Sequence, residues 1–142
     1  MERRSEPGRR RLTLYLLDTN VCIDFARGRS EALRQRMRAA LSHGLVMSAI
    51  TYGELAVGSR DSSDPECDWR KLEKLAEIVS VVPFDETAGE AYGRLGRAVG
   101  VRRKSFDRLI AAHALSLELT LVTNNEADFA DVPGLNIENW SA

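Results

Sequence analysis

Apolar residues occur in short runs. Each run stops at a small polar residue and gives way to a longer stretch in which apolar positions recur every third or fourth place. Leu14-Tyr15-Leu16-Leu17 stops at Asp18, with Thr19 and Asn20 behind it. A run this short reads as a buried strand, and Asp, Thr and Asn all cap helices well. The pattern predicts a helix over 21–26, broken near Gly28. A second helix over 30–43 is capped by Ser30, carries Arg34, Arg36 and Arg38 on its wet side, and ends at Gly44. Leu45-Val46-Met47-Ser48 repeats the strand pattern and leads into a helix over 49–57 closed by Gly58. After a polar loop come a helix over 66–78, a strand over 79–82 stopped by Pro83, and a helix over 85–99 ended by Gly100. The most apolar helix, 105–117, follows the basic loop Arg102-Arg103-Lys104. A strand over 119–122, a helical turn over 125–129 and an edge strand over 135–137 complete the chain. Short buried strands alternating with helices define βαβ units. The expected fold is therefore a three-layer α/β/α sandwich around a mostly parallel central sheet.

Composition narrows the class. A chain of 142 residues, 29% charged and 44% apolar, is one ordinary globular domain and is not disordered. Its formal net charge of -1 excludes a polycation. Yet Arg3, Arg4, Arg9, Arg10 and Arg11 crowd the start, so the rest is net acidic. A basic arm (1–11) thus precedes a body (12–142), and two readings of it stand: phosphate contact, or a solubilising tail. Cys22 and Cys67 are far apart and have no metal-ligand spacing, which suits a reducing cytoplasm. No apolar run approaches the about 18 residues of a membrane span, and Leu12 to Leu17 is too short for a secretory core. No membrane partner is expected.

The acids fall at meaningful places. In open α/β sheets the ligand crevice lies at the carboxyl ends of the strands. Asp18 stands at such an end, where a helix cap is the competing explanation. Glu54 lies six residues past Ser48, early in a partly apolar helix. Asp107 opens the apolar helix and shares a face with Ile110, Ala111 and Ala114 at i+3, i+4 and i+7. A carboxylate on such a face is costly unless paired or bound to a cation. A helix dipole offsets only about 0.3–1 kcal/mol of that cost. Asp128 follows the fourth strand. Converging carboxylates, with no phosphate-binding glycines and no catalytic His, point to Mg²⁺ chemistry on a phosphodiester. His113, deep in the apolar helix, reads as a packing residue, and His43 as a helix-end cation. Arg102, Arg103 and Lys104 precede the Asp107 helix, at the rim of the crevice. They suit contact with the phosphates of RNA or remain a solvated loop of charge.

In order along the chain stand Leu16-Leu17-Asp18-Thr19-Asn20, Ser48-Ala49-Ile50-Thr51-Tyr52-Gly53-Glu54-Leu55, Asp107-Arg108-Leu109-Ile110-Ala111-Ala112-His113-Ala114, Leu121-Val122-Thr123-Asn124-Asn125 and Val132-Pro133-Gly134-Leu135 through Trp140. This ordered set resembles the PIN-domain nucleases, in particular the VapC-type toxins of toxin–antitoxin pairs. The resemblance implies a PIN-like fold and a Mg²⁺- or Mn²⁺-dependent endoribonuclease cutting tRNA or rRNA. It also implies a homodimer and a cognate VapB-type antitoxin within a larger complex. It places the family's first three acids, catalytic and metal-holding, on Asp18, Glu54 and Asp107. The fourth position falls on Asp128, with Asn125 as the other candidate. Thr19, Asn20, Thr123 and Asn125 become the hydroxyl and amide groups that orient the acids. Lys104-Ser105 stands where close relatives often carry Gly-Pro. Two other readings remain: an inactive binding module of the same fold, and a phosphoaspartyl hydrolase using Asp18. The hydrolase reading suffers from Asn20 standing where a second Asp belongs.

Overall fold

The computed structural model describes residues 14–141. The basic arm over 1–11 lies outside the described residues. Five strands are seen among those described: β1 (Tyr15–Leu17), β2 (Leu45–Ser48), β3 (Ser80–Val82), β4 (Thr120–Val122) and β5 (Ile137–Glu138). Six helices accompany them: α1 (Thr19–Arg27), α2 (Glu31–Ala40), α3 (Ala49–Arg60), α4 (Pro65–Ile78), α5 (Glu86–Val99) and α6 (Asp107–Leu117).

The strands form one sheet in the order β3-β2-β1-β4-β5, and every pairing is parallel. Successive side chains leave a strand on opposite faces, so each strand feeds two cores. Leu17, Leu45, Met47 and Val122 point into a core shared with Val21 and Cys22 of α1, Leu33 and Met37 of α2, and Leu72 and Leu75 of α4. Their neighbours Leu16, Val46 and Leu121 point the other way. They meet Ala91 and Leu95 of α5 and Ile110, Ala111 and Ala114 of α6. That is the three-layer sandwich the sequence predicts. No helix among the described residues is long and apolar enough to cross a membrane.

Strand order positions the site. From β1 the chain moves outward through β2 to β3, then returns to the other side of β1 as β4 and continues to β5. The direction of progress reverses between β1 and β4, and a crevice opens at such a switch at the carboxyl ends of the strands. Leu17 pairs with Val122, so the next residues along, Asp18 and Thr123, face each other across the switch.

Several boundaries differ from expectation, each for a local reason. The third helix continues past Gly58 to Arg60, because the Ser59 hydroxyl donates to the Leu55 carbonyl and the Asp61 N–H to the Val57 carbonyl. The second helix tightens into a 3₁₀ turn over Leu41–His43 before Gly44, which turns at φ 87° against Leu14. The sixth helix begins at Asp107, since the Ser105 hydroxyl accepts from the Asp107 N–H and keeps 105–106 as a cap. The last strand is Ile137–Glu138, and Leu135 packs on the second core instead. β3 is an exposed edge rather than a buried strand.

One ion pair fastens α6 to the segment after β4. The Arg108 side chain, only 4% exposed, donates twice to the Asp131 carboxylate at 2.8 Å per bond. This pair raises the Arg108 guanidinium further above its usual range and holds Asp131 down at about 2. Among the described residues Arg108 Nε has no partner. Removing one member of such a pair strands a buried charge, whereas an apolar replacement of the buried member removes the burden altogether. Asp131→Ala is therefore expected to lower the urea midpoint of unfolding more than Arg108→Met does, at an unchanged denaturant slope. Equal losses for the two variants would show that the pair does not carry the buried charge.

Candidate active site

Asp18 leaves β1 in extended conformation and caps α1. Its Oδ1 accepts from the Thr19 N–H at 2.8 Å, and its Oδ2 accepts from the Thr123 hydroxyl at 2.9 Å, across the switch between β1 and β4. The two explanations that compete in the sequence, cap and site, thus coexist in one side chain. Asp18 is 3% exposed. Burial pushes its carboxyl up to about 6. The Thr123 and Thr19 bonds oppose that rise, and the charges of Asp107 and Glu54 add to it. Burial, followed by the charge of Asp18, pushes the neighbouring Cys22 thiol up to about 12, so this cysteine is inert packing.

Glu54 comes from the second turn of α3. The Thr19 hydroxyl donates to its Oε1 at 2.7 Å. A hydroxyl has one proton, so the 3.0 Å contact between Thr19 and Thr51 is donated by Thr51. Thr51, Thr19 and Glu54 therefore form a directed chain that aims the carboxylate. Asp107 opens α6, half-buried, with Ile110, Ala111 and Ala114 buried behind it. Asp18, Glu54 and Asp107 are thereby brought together, since the latter two are the acids whose charges act on Asp18.

Asp128 is placed differently. It lies half-buried in the 3₁₀ turn Glu126–Phe129, and its carboxylate is not among the charges acting on Asp18. Its backbone carbonyl accepts from Arg102 at 3.5 Å. Asn125 is exposed, and its N–H donates to the Thr123 hydroxyl oxygen, which in turn serves Asp18. Asn20 is exposed, and no hydrogen bond of its side chain is seen among the described residues. Arg102, Arg103 and Lys104 are exposed in the loop before α6. Arg102 also reaches Asp131 at 3.7 Å, which ties this loop to the turn that follows β4.

His113 is a buried packing residue, as its apolar helix suggests. The Ser48 hydroxyl oxygen accepts from the Ile50 N–H and also hydrogen-bonds His113 Nδ1 at 2.8 Å. Burial lowers the imidazole below its usual range, and Phe84 packs edge-on at 5.2 Å.

The donors suit a hard cation. They are carboxylate oxygens, and each Asp18 oxygen keeps a lone pair beyond the hydrogen bond it accepts. No three Asp, Glu, His or Cys side chains among the described residues form a ready-made cage. Mg²⁺ does not require one, because one or two carboxylates with waters and substrate phosphates usually hold it.

Sequence reasoning missed three partners: Thr51, the Arg108–Asp131 pair, and Asn124, whose amide donates to Asp24 of α1 at 2.7 Å. Thr51 was within reach, because it stands one helical turn before Glu54 on the same face. The other two join residues far apart in the chain and have no periodic signal.

The parallel sheet that reverses at β1 is shared with a family of nucleases. The PIN-domain family model matches residues 15–135, and the chain belongs to that family. Its relatives include the tRNA(fMet)-specific endonuclease VapC of Shigella flexneri. That protein is 34% identical over 89% of this chain and 98% of its own length. Ribonuclease VapC1 of Haemophilus influenzae strain R2866 is 35% identical over 90% and 98%. Among solved structures, VapBC-1 from nontypeable Haemophilus influenzae superposes with a TM-score of 0.83 at 34% identity, covering 92% of this chain and all of that one. VapBC2 from Rickettsia felis, bound to a DNA fragment from its promoter, superposes with a TM-score of 0.82 at 28% identity, covering 90% and 99%. The chain is thus a nuclease of the VapC type.

The displaced Asp18 titration has a thermodynamic consequence. The folded chain keeps the Asp18 proton up to about pH 6, whereas the unfolded chain releases it near 3.8. Between those values the folded state binds more protons, so stability falls as pH rises. Without metal, the loss through this window is on the order of 2–3 kcal/mol. Asp18→Asn should flatten that slope and be the more stable protein at pH 7, as read by urea unfolding across pH. A wild-type curve already flat from pH 4 to 6 would contradict the displaced titration.

Proposed function

We propose that the chain is a metal-dependent endoribonuclease and acts as the toxin of a toxin–antitoxin pair. The observation that carries the reading is Asp18, a carboxylate buried at the sheet switch and raised to about 6 by burial together with Asp107 and Glu54. Such a group is held at a cost that a bound cation removes. Mg²⁺, or Mn²⁺ in its place, would be held by Asp18, Asp107 and Glu54. When bound, the ion supplies charge stabilisation for water attack on an RNA phosphodiester.

The chain's own groups set up that chemistry. Thr123 and the Thr19 backbone fix both oxygens of Asp18. The Thr51–Thr19 chain holds Glu54 facing the crevice as the proton acceptor for the incoming water. Asn125 supports Thr123 from behind, and Asp128 stands in the adjoining turn, within reach of the leaving strand. Arg102, Arg103 and Lys104 offset the repulsion between an acidic site and the RNA backbone. The substrate is a structured RNA, tRNA or rRNA, by analogy with the relative named for tRNA(fMet).

The partner is a cognate VapB-type antitoxin, as the solved VapBC neighbours suggest, and the toxin itself is a homodimer. A groove of about 350 Å³ is lined by Cys22, Leu55, Leu72 and Leu75 together with Glu54. An antitoxin segment lying there would bring a basic side chain to the acids and compete with metal.

Asp18→Asn, Glu54→Gln and Asp107→Asn should each reduce Mg²⁺-dependent RNA cleavage by roughly 100-fold or more, equivalent to about 2.7 kcal/mol of barrier, with circular dichroism unchanged. A variant that kept near wild-type rate would remove its residue from the site.

Replacing Arg102, Arg103 and Lys104 together by Ala should weaken RNA binding and flatten its salt dependence. The flattening should be about 0.7 in log–log slope for each phosphate that the loop no longer neutralises, while metal affinity is retained. The measurement belongs on an Asp107→Asn background, where no cleavage interferes. An unchanged slope would return these residues to a solvated loop.

A further inference from the structure

Phe106 is the one residue between the Lys104-Ser105 end of the basic loop and Asp107. It is 50% exposed and belongs to neither hydrophobic core. Its Cα lies one peptide, about 3.8 Å, from that of Asp107. Its backbone is fixed on both sides: the Ser105 hydroxyl accepts from the Asp107 N–H, and the Phe106 carbonyl accepts from the Ile110 N–H. The loop before it is tethered through Arg102 to the Asp128 carbonyl and to Asp131. A wet aromatic ring thus stands on an anchored turn, flanked by exposed Arg102, Arg103 and Lys104 on one side and a site acid on the other. Unpaired RNA bases are recognised by this combination, in which cations follow the phosphates and an aromatic face receives a base. An isolated exposed Phe needs no explanation in general. This one follows the exposed Arg102, Arg103 and Lys104 and immediately precedes Asp107.

We propose that Phe106 is a substrate-positioning residue that stacks on an unpaired base next to the cleaved phosphodiester. The proposal rests on the ribonuclease reading above. It gives the site a preference for single-stranded or looped RNA, because in a duplex the bases are already stacked on one another.

The test uses the full chain on an Asp18→Asn background and a single-stranded 12-mer RNA, compared with the same oligomer made abasic at every position. Phe106→Ala should weaken binding of the intact RNA by roughly 10-fold, within the range measured for stacking of one base on one aromatic ring. It should leave abasic binding and the salt slope unchanged, since the groups that meet the phosphates are untouched. Phe106→Trp should restore affinity, and its fluorescence should be quenched by the intact RNA and not by the abasic one. Unchanged affinity in Phe106→Ala, or equal loss for both oligomers, would overturn the stacking role. Equal loss would mark a loosened loop. If the chain bearing the native ring bound no RNA, and wild type cleaved none with Mg²⁺, the ribonuclease reading itself would fail and take this proposal with it.

Discussion

A carboxylate placed under a parallel sheet's carboxyl edge must either be neutral, be paired with a cation or be surrounded by donors. Asp18 is held by two donors and faces two further acids, an arrangement that holds it in a costly state rather than relieving it. Much of the surrounding structure follows from keeping that group in place. The reversal of the sheet between β1 and β4 brings Thr123 opposite it. The first helix starts on it. The last acid stands at the tip of the most apolar helix, where packing behind it leaves that acid no room to retreat. Such sites are stabilised by binding more than by folding, so their native state is reached with part of its free energy unspent.

How far this could be read in advance depends on the range of each interaction. The central strands were visible as short apolar runs, whose successive residues part to the two faces: Leu16 and Leu17 go to different cores, as do Val46 and Met47. Asp107 was visible because Ile110, Ala111 and Ala114 share its face. Parallel pairing followed from the spacing of strands and helices. What stayed hidden depends on contacts across long sequence separations. Nothing near Arg108 announces Asp131, and an Arg inside an apolar helix reads as a surface residue until its partner is seen. The pattern also gave too much weight to Gly58, because a glycine ends a helix only when the next turn lacks hydrogen bonds. Here Ser59 and Asp61 supply them. Asp128 also follows a strand end, but it lies within a 3₁₀ turn and its carboxylate is not among the charges acting on Asp18.

The loop before α6 gathers several roles in few residues. Arg102 ties it to the turn after β4, Ser105 caps the helix, and Arg108 fastens the first turn of that helix to Asp131. The third acid is therefore held by the segments on either side of it, and a neighbouring surface can be cationic without drifting. The loop is in this sense part of the framework that holds Asp107.

Ser48 ends β2, caps α3 through the Ile50 N–H, and hydrogen-bonds His113 of α6. The helix that carries Glu54 and the helix that carries Asp107 thus meet at a single hydroxyl, although α6 packs in one core and α3 leans chiefly on the other. A substitution at this one residue would therefore act on both helices at once.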